Sequence, residues 1–181
     1  MGYLVVSLVM QNEHLDGVKI FDFDKFVDNR GSFYRVFDKI QFDEIHNAFD
    51  IAQISISENN SLGTVRGLHM LSTEYGEGKV ITCLNGEILD VIVDMRPWSS
   101  TFMNHMKVTL SKVESKAVYI PPGFAHGFQT LAHKSDVLYC MSKPYDPKLE
   151  IGFRFNDPKL EIDWPLDIET ISDKDSLWPL L

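Results

Sequence analysis

The chain has 181 residues, 44% of them hydrophobic and 24% charged, with a formal net charge of −9. That length and balance fit one globular domain with a single sizeable core. They exclude general nucleic-acid binding, which needs a basic footprint, but leave room for a small anion held by a few local Arg and Lys side chains.

Tyr3–Met10 is apolar, yet it lacks a basic flank and a small-residue cleavage site and is too short to span a bilayer. It reads as an upstream extension or edge strand within residues 1–17. No membrane contact is expected, and the expected location is the cytoplasm. Val18–Phe26 alternates loosely and breaks at the turn signal Asp28-Asn29-Arg30-Gly31. Ser32–Phe37 reads as a short aromatic strand. Asp38–Phe49 carries Ile40, Phe42, Ile45 and Phe49 at mixed three- and four-residue spacing, which predicts a helix.

Gln53–Ser57 alternates strictly, with Gln53, Ser55 and Ser57 on its polar face, and Glu58–Gly63 is a polar loop. Lys79–Leu84 and Glu87–Met95 flank Asn85-Gly86, a strong hairpin signal because both central turn residues need positive φ. The two runs are therefore expected to pair, with Arg66, Gly67 and His69 on the strand or loop just upstream. Arg96–Ser100 forms another turn, and Met106, Val108 and Leu110 mark a strand of period two. Ala117–Ile120 is a strand halted by Pro121-Pro122-Gly123; Phe124–Leu131 and Val137–Met141 are further strands.

Residues 144–181 form a tail with little periodicity, and no repeat or linker divides the chain, so 1–181 is read as one domain. Many short strands with frequent turns and few short helices predict a mainly β sandwich or barrel. Such a barrel presents its polar face to a ligand cavity and its apolar face to a second sheet or subunit. Cys83 and Cys140 lie in predicted strands without metal or redox spacing, and buried free thiols in a reducing compartment are expected.

Six histidines are present. His14, His46, His105 and His133 have no supporting context, whereas His69 and His126 each sit near glycine and other polar groups at a strand end. A metal centre is disfavoured: His69 is followed by Met70 and Leu71, so the near second ligand of a His-x-His pattern is missing. General acid–base chemistry fits better, since an imidazole titrates near ~6.5 and can take and return a proton. It needs a carboxylate to orient it and a cation to stabilise a developing oxyanion, and Lys79 and Arg66 are the near candidates for the second task. Tyr139 is either a proton donor or, on the residues alone, more simply a core aromatic. This reading gives a candidate base in an anion-tolerant cavity and no substrate.

Several blocks together resemble the dTDP-4-dehydrorhamnose 3,5-epimerase family. They are Arg66-Gly67-Leu68-His69, Gly78-Lys79-Val80, Gly86–Val91, Ile120–Phe128, Leu138-Tyr139, Asn156-Asp157-Pro158 and Ile162-Asp163-Trp164-Pro165, in the family's order and spacing from about Val18 to Leu181. The resemblance implies a cupin-type double-stranded β-helix (jelly roll), a homodimer, and activity without a metal or other cofactor. It implies epimerisation of a nucleotide-diphosphate-linked 4-keto-6-deoxy sugar through an enolate. Carried over by position, His69 is the base, Asp175 its carboxylate partner, Lys79 the enolate stabiliser and Tyr139 the proton donor. Arg66, Arg30, Gln53, Ser55, Phe33, His126, Tyr145 and Lys174 fall at substrate-binding positions.

Four positions differ from the pattern: Leu71 replaces a common Gln, Ser55 an Asn, Arg35 a Glu and Cys140 a Lys. They bear on which nucleotide and sugar are bound, and on whether C3, C5 or both are epimerised. Three other readings compete. A cupin ketoisomerase would carry a second His where Leu71 stands, and a catalytically silent sugar-binding cupin would not keep His69, Lys79, Tyr139 and Asp175 together. A metal-dependent cupin oxygenase lacks its paired-His motif here.

Overall fold

Short alternating strands build two five-stranded antiparallel sheets that face one another. The structure, a computed structural model, describes residues 15–45 and 49–181. Tyr3–Met10, His14, His46 and the end of the predicted helix lie outside the described residues. In chain order the strands begin with β1 (Lys19–Asp22), β2 (Phe26–Asp28), β3 (Gly31–Phe33), β4 (Gln53–Asn59), β5 (Val65–Leu71) and β6 (Lys79–Asn85). They continue with β7 (Glu87–Asp94), β8 (His105–Ser111), β9 (Lys116–Ile120), β10 (Phe124–Thr130), β11 (Ser135–Met141) and β12 (Glu150–Gly152). Two short helices complete the set, α1 (Lys39–Ile45) and α2 (Asp173–Ser176). One sheet runs β1-β9-β6-β11-β4, the other β12-β5-β10-β7-β8, and β2 pairs with β3 in a separate hairpin. This is the jelly roll that the sequence led us to expect.

Three apolar layers follow from the alternation. Between the sheets, Ile81, Ile88, Ile92, Leu110, Val118, Phe128 and Val137 form the central core. Outside the first sheet, Val80, Ala117, Tyr119 and Cys140 pack against Phe21, Phe23, Phe42 and Phe49, so α1 buries one face of a strand layer already buried on the other. Outside the second sheet, Leu68, Met70, Val91, Val93 and Ala125 are covered by Phe153, Leu160, Ile162 and Trp164 from the C-terminal segment. Full burial of one such large side chain stabilises by about 1.5–3 kcal/mol, so both covering segments contribute directly to the fold.

Two expectations need correction. β6 and β7 do not pair: β6 joins β9 and β11, whereas β7 joins β8 and β10. Asn85-Gly86 is a corner between sheets. Asn85 stays in β6, opposite Asp136, with its side-chain amide donating to Lys134 O (2.6 Å), and Gly86 alone takes a positive φ of 71°. The predicted strand Ser32–Phe37 also stops at Phe33, because Tyr34, Val36 and Phe37 turn inward to pack beneath α1. α1 itself starts where expected: the Asp38 side chain accepts from Ile40 N (3.1 Å), as an N-cap does. Cys83 and Cys140 are buried free thiols. No helix among the described residues is long and apolar enough to cross a membrane.

Candidate active site

β5 and β10 lie side by side, with His69 directly opposite His126. Residues so paired on antiparallel strands point to the same face, so both imidazoles enter the space between the sheets. The strands approach closely because Gly67 has no side chain. A Cβ there would lie 2.6 Å from Gly127 Cα and 2.7 Å from His126 O, and φ is +112°. The facing wall comes from the other sheet. β11 turns Val137, Tyr139 and Met141 inward and Leu138 and Cys140 outward; its partners are Ser55, beside Tyr139, and Lys79, beside Met141. The resulting cavity of about 350 Å³ is lined by His69, His126, Arg66, Lys79, Tyr139 and Asp175, together with Ser57, Leu71, Glu77, Tyr145, Glu150 and Lys174.

At its centre His69 Nε2 stands 2.6 Å from Asp175 Oδ1, and Asp175 Oδ2 accepts from Gly67 N at 3.1 Å. Burial alone pushes the Asp175 carboxyl up, but the hydrogen bonds and charge it meets at His69, and those from Gly67 and Ser172, outweigh burial and hold it below the usual carboxylate range. An ionised carboxylate only accepts, so Nε2 carries a ring proton, and Nδ1 is the nitrogen that holds the lone pair whenever the imidazole is neutral. Glu150 Oε1 lies 4.0 Å from the same Nε2. Burial works to raise Glu150 as well, and hydrogen bonds from Lys174 (2.5 Å) and Tyr145 Oη (2.6 Å) bring it below its ordinary value.

On the far wall Tyr139 is pushed up, first by burial and then by the charge of Asp90, so its phenol is fully protonated at neutral pH. It meets His126 edge-on, ring centroids 6.0 Å apart. His126 is itself buried against Asp90, whose carboxyl is raised by burial, with His126 opposing the shift; Asp90 Oδ2 finds no partner among the described residues. Lys79 Nζ donates to His69 O (3.4 Å) and pairs with Glu77 (3.3 Å). Arg66 is braced by Nε donation to Asn59 Oδ1 (2.7 Å).

The structure therefore brings His69, Asp175, Lys79, Tyr139, Arg66, His126, Tyr145 and Lys174 to one cavity. Gln53 and Ser55 stand just behind it: Gln53 accepts from Tyr145 N (3.0 Å) and donates to Ser55 Oγ (3.1 Å). Arg30 and Phe33 do not reach it. They lie on the β2–β3 hairpin, where the Arg30 side chain is 87% exposed and forked onto Asp28, beside a separate hollow. Sequence reasoning missed Glu150, Glu77, Asp90 and Asn59. Glu77 was findable, since it sits two residues before Lys79; Glu150 lies on a strand too short to show a period. Among the described residues no group of three or more His, Cys, Asp and Glu is placed to hold a metal ion.

Fold and cavity together define a cupin-type jelly roll with a polar cavity, lined by His69, Asp175, Lys79 and Tyr139, between its sheets. The family profile of dTDP-4-dehydrorhamnose 3,5-epimerase matches residues 12–181. A dTDP-4-dehydrorhamnose 3,5-epimerase of Sinorhizobium fredii is 34% identical over 97% of this chain and 90% of that protein. The Bacillus anthracis dTDP-4-dehydrorhamnose 3,5-epimerase structure with TDP and PPi bound superposes with a TM-score of 0.91, at 33% identity over 98% of this chain and 100% of that one. A 3'-monoepimerase of Streptomyces bikiniensis in complex with dTDP-quinovose gives 0.87 at 30% identity, covering 92% and 85%. The chain belongs to the dTDP-4-dehydrorhamnose 3,5-epimerase family.

Proposed function

We propose that the protein epimerises a dTDP-linked 4-keto-6-deoxy sugar at C3 and C5, in deoxysugar synthesis for cell-surface polysaccharide in the cytoplasm. His69 Nδ1 takes the proton from the carbon beside the carbonyl, and the electron pair moves onto the carbonyl oxygen as an enolate. Asp175 stabilises the imidazolium that forms, and Lys79 Nζ stabilises the enolate oxygen. Tyr139 Oη then delivers a proton to the opposite face of the same carbon, inverting it. The observation that carries this reading is the 2.6 Å His69–Asp175 pair lining the same cavity as a protonated tyrosine on the other sheet. Arg66, Tyr145 and Lys174 line the same space and supply cationic and hydrogen-bonding contacts for the diphosphate and sugar.

A homodimer fits the surface. Ile54 and Ile56, 60% and 58% exposed on the free edge strand β4, and Phe26, Val27 and Phe33 on the β2–β3 hairpin leave apolar area that a second copy covers. Substrate-binding roles for Arg30 and Phe33 then require the hairpin to serve the cavity of that second copy. A single-site epimerase is the second reading, favoured by the similarity to the 3'-monoepimerase. NMR identification of the product from dTDP-4-keto-6-deoxyglucose separates the two. Inversion at both carbons is expected; inversion at one supports the second reading, and a shifted keto group contradicts both.

A further inference from the structure

Asp175 sits on a helix of four residues, α2, which cannot hold its own shape. Its carboxylate nonetheless has to meet the His69 ring at hydrogen-bond distance. Upstream the segment is tied by Val65 N donating to Thr170 O (2.8 Å) and by the Ser172 side chain accepting from Asp175 N (3.1 Å). Downstream the tie is Trp178. Its carbonyl accepts from Arg154 Nε (2.7 Å), and the chain end is pinned where Leu181 N donates to the buried Asp157 (2.6 Å).

The indole ring occupies an unusual seat. Gly152 on β12 is the register partner of His69 on β5, and a Cβ at Gly152 would fall 1.8 Å from Trp178 Cε2 and 2.2 Å from Cδ2. The ring thus takes the place of the side chain that β12 lacks, directly beside the imidazole. Its centroid lies 6.4 Å from that of His69 at an interplanar angle of 68°, and Lys174 Nζ stands 5.7 Å from its centroid on the cavity side. The indole N–H is buried with no acceptor among the described residues, so packing and not hydrogen bonding holds the ring there.

We propose that Trp178, seated on Gly152, is a positioning residue for the reaction: it fixes the His69 ring laterally and locks Asp175 onto it. The inference rests on the reading of His69 as base. Trp178→Ala empties the seat, whereas Gly152→Ala keeps the indole and forces it to move; both are expected to lower kcat for C3 and C5 exchange about 10–100-fold, the scale of a misplacement of roughly 1 Å. KM should stay within about threefold, because Trp178 does not line the cavity. Trp178→Phe should recover most of the rate. The double variant should be no slower than either single one, since both act through one contact.

The assay is deuterium exchange into dTDP-4-keto-6-deoxyglucose, run beside His69→Ala, with circular dichroism establishing that each variant is folded at the assay temperature. A folded Trp178→Ala enzyme with kcat within about twofold of the parent overturns the proposal, as does a rise in KM at unchanged kcat. A loss that disappears on cooling to where the variant is as folded as the parent also overturns it, assigning Trp178 to stability alone. If His69→Ala keeps its activity, the base assignment fails and takes this proposal with it. If His69→Ala is inactive while Trp178→Ala is not, only the positioning role fails.

Discussion

Replacing Asp175 by Asn keeps the side chain's shape and removes its charge, which isolates its part in the proton transfer. In the native pair one carboxylate oxygen accepts from His69 Nε2 at 2.6 Å and the other from Gly67 N at 3.1 Å. An amide has one acceptor oxygen, so in Asp175→Asn the new side chain can satisfy one donor and turns its own NH₂ toward the other. The lost charge-assisted hydrogen bond is worth about 1.5–3 kcal/mol. When His69 becomes an imidazolium, a charge pair at roughly 4 Å contributes about 4 kcal/mol at an effective dielectric of 20. These two figures overlap, and we take about 3–4 kcal/mol, which is about 10²–10³ in kcat. Asp175 acts on the reaction through His69, so the loss should fall on kcat and KM should change little. Steady-state kinetics with single-turnover exchange in D₂O measure both quantities. An Asp175→Asn enzyme within fivefold of the parent would refute the pairing argument.

Tyr139→Phe removes the proposed proton donor and leaves the proposed base, so deuterium should still enter at the acidic carbons while net inversion is lost; full epimerisation by this variant assigns the donor elsewhere. Gly67→Ala places a methyl 2.6 Å from Gly127 Cα at a φ of +112°, and a cost of about 2–4 kcal/mol should lower Tm by roughly 5–10 °C. An unchanged Tm would mean that β5 and β10 can separate freely. Burial raises Asp94 and Asp175, but hydrogen bonds from Arg96, Ser99 and Thr101 to the first and from His69 to the second leave both below the ordinary aspartate value of 3.8. The folded state therefore binds fewer protons than the unfolded one, so this stabilisation is full above pH ~4 and is lost as pH falls through the lower folded values. The urea midpoint should fall progressively as pH is lowered below about 4, and Asp94→Asn should flatten that fall; parallel curves would show that Asp94 does not contribute. Ile54→Asp should break the proposed homodimer to monomer in light scattering, and a dimer that survives it does not use β4.

Much of this was legible in the chain. The strict alternation of Gln53–Ser57 announced a strand with one polar and one apolar face, and β4 turns Ile54 and Ile56 outward. His69 and His126 were distinguishable from the other histidines by nearby glycine and polar groups at a strand end, and His69 further by the cations around it. Asn85-Gly86 misled because turn chemistry reports a reversal in local backbone and says nothing about which sheet each flank will join. Asp175, Glu150 and Trp178 were illegible from pattern alone. They belong to β12 and α2 and their flanks, elements of three and four residues that show no period, and only the fold brings them to His69. Asp175 was placed by the resemblance, and Glu150 and Trp178 by neither route.

Proton abstraction by His69 from the carbon beside a keto group can be read directly from one spectrum. The protein is incubated with dTDP-4-keto-6-deoxyglucose in D₂O, and deuterium at C3 and C5 is followed by NMR for the parent and for His69→Ala. Incorporation at both carbons is expected for the parent, with a loss of several orders of magnitude in the variant. Incorporation that persists in His69→Ala would contradict it.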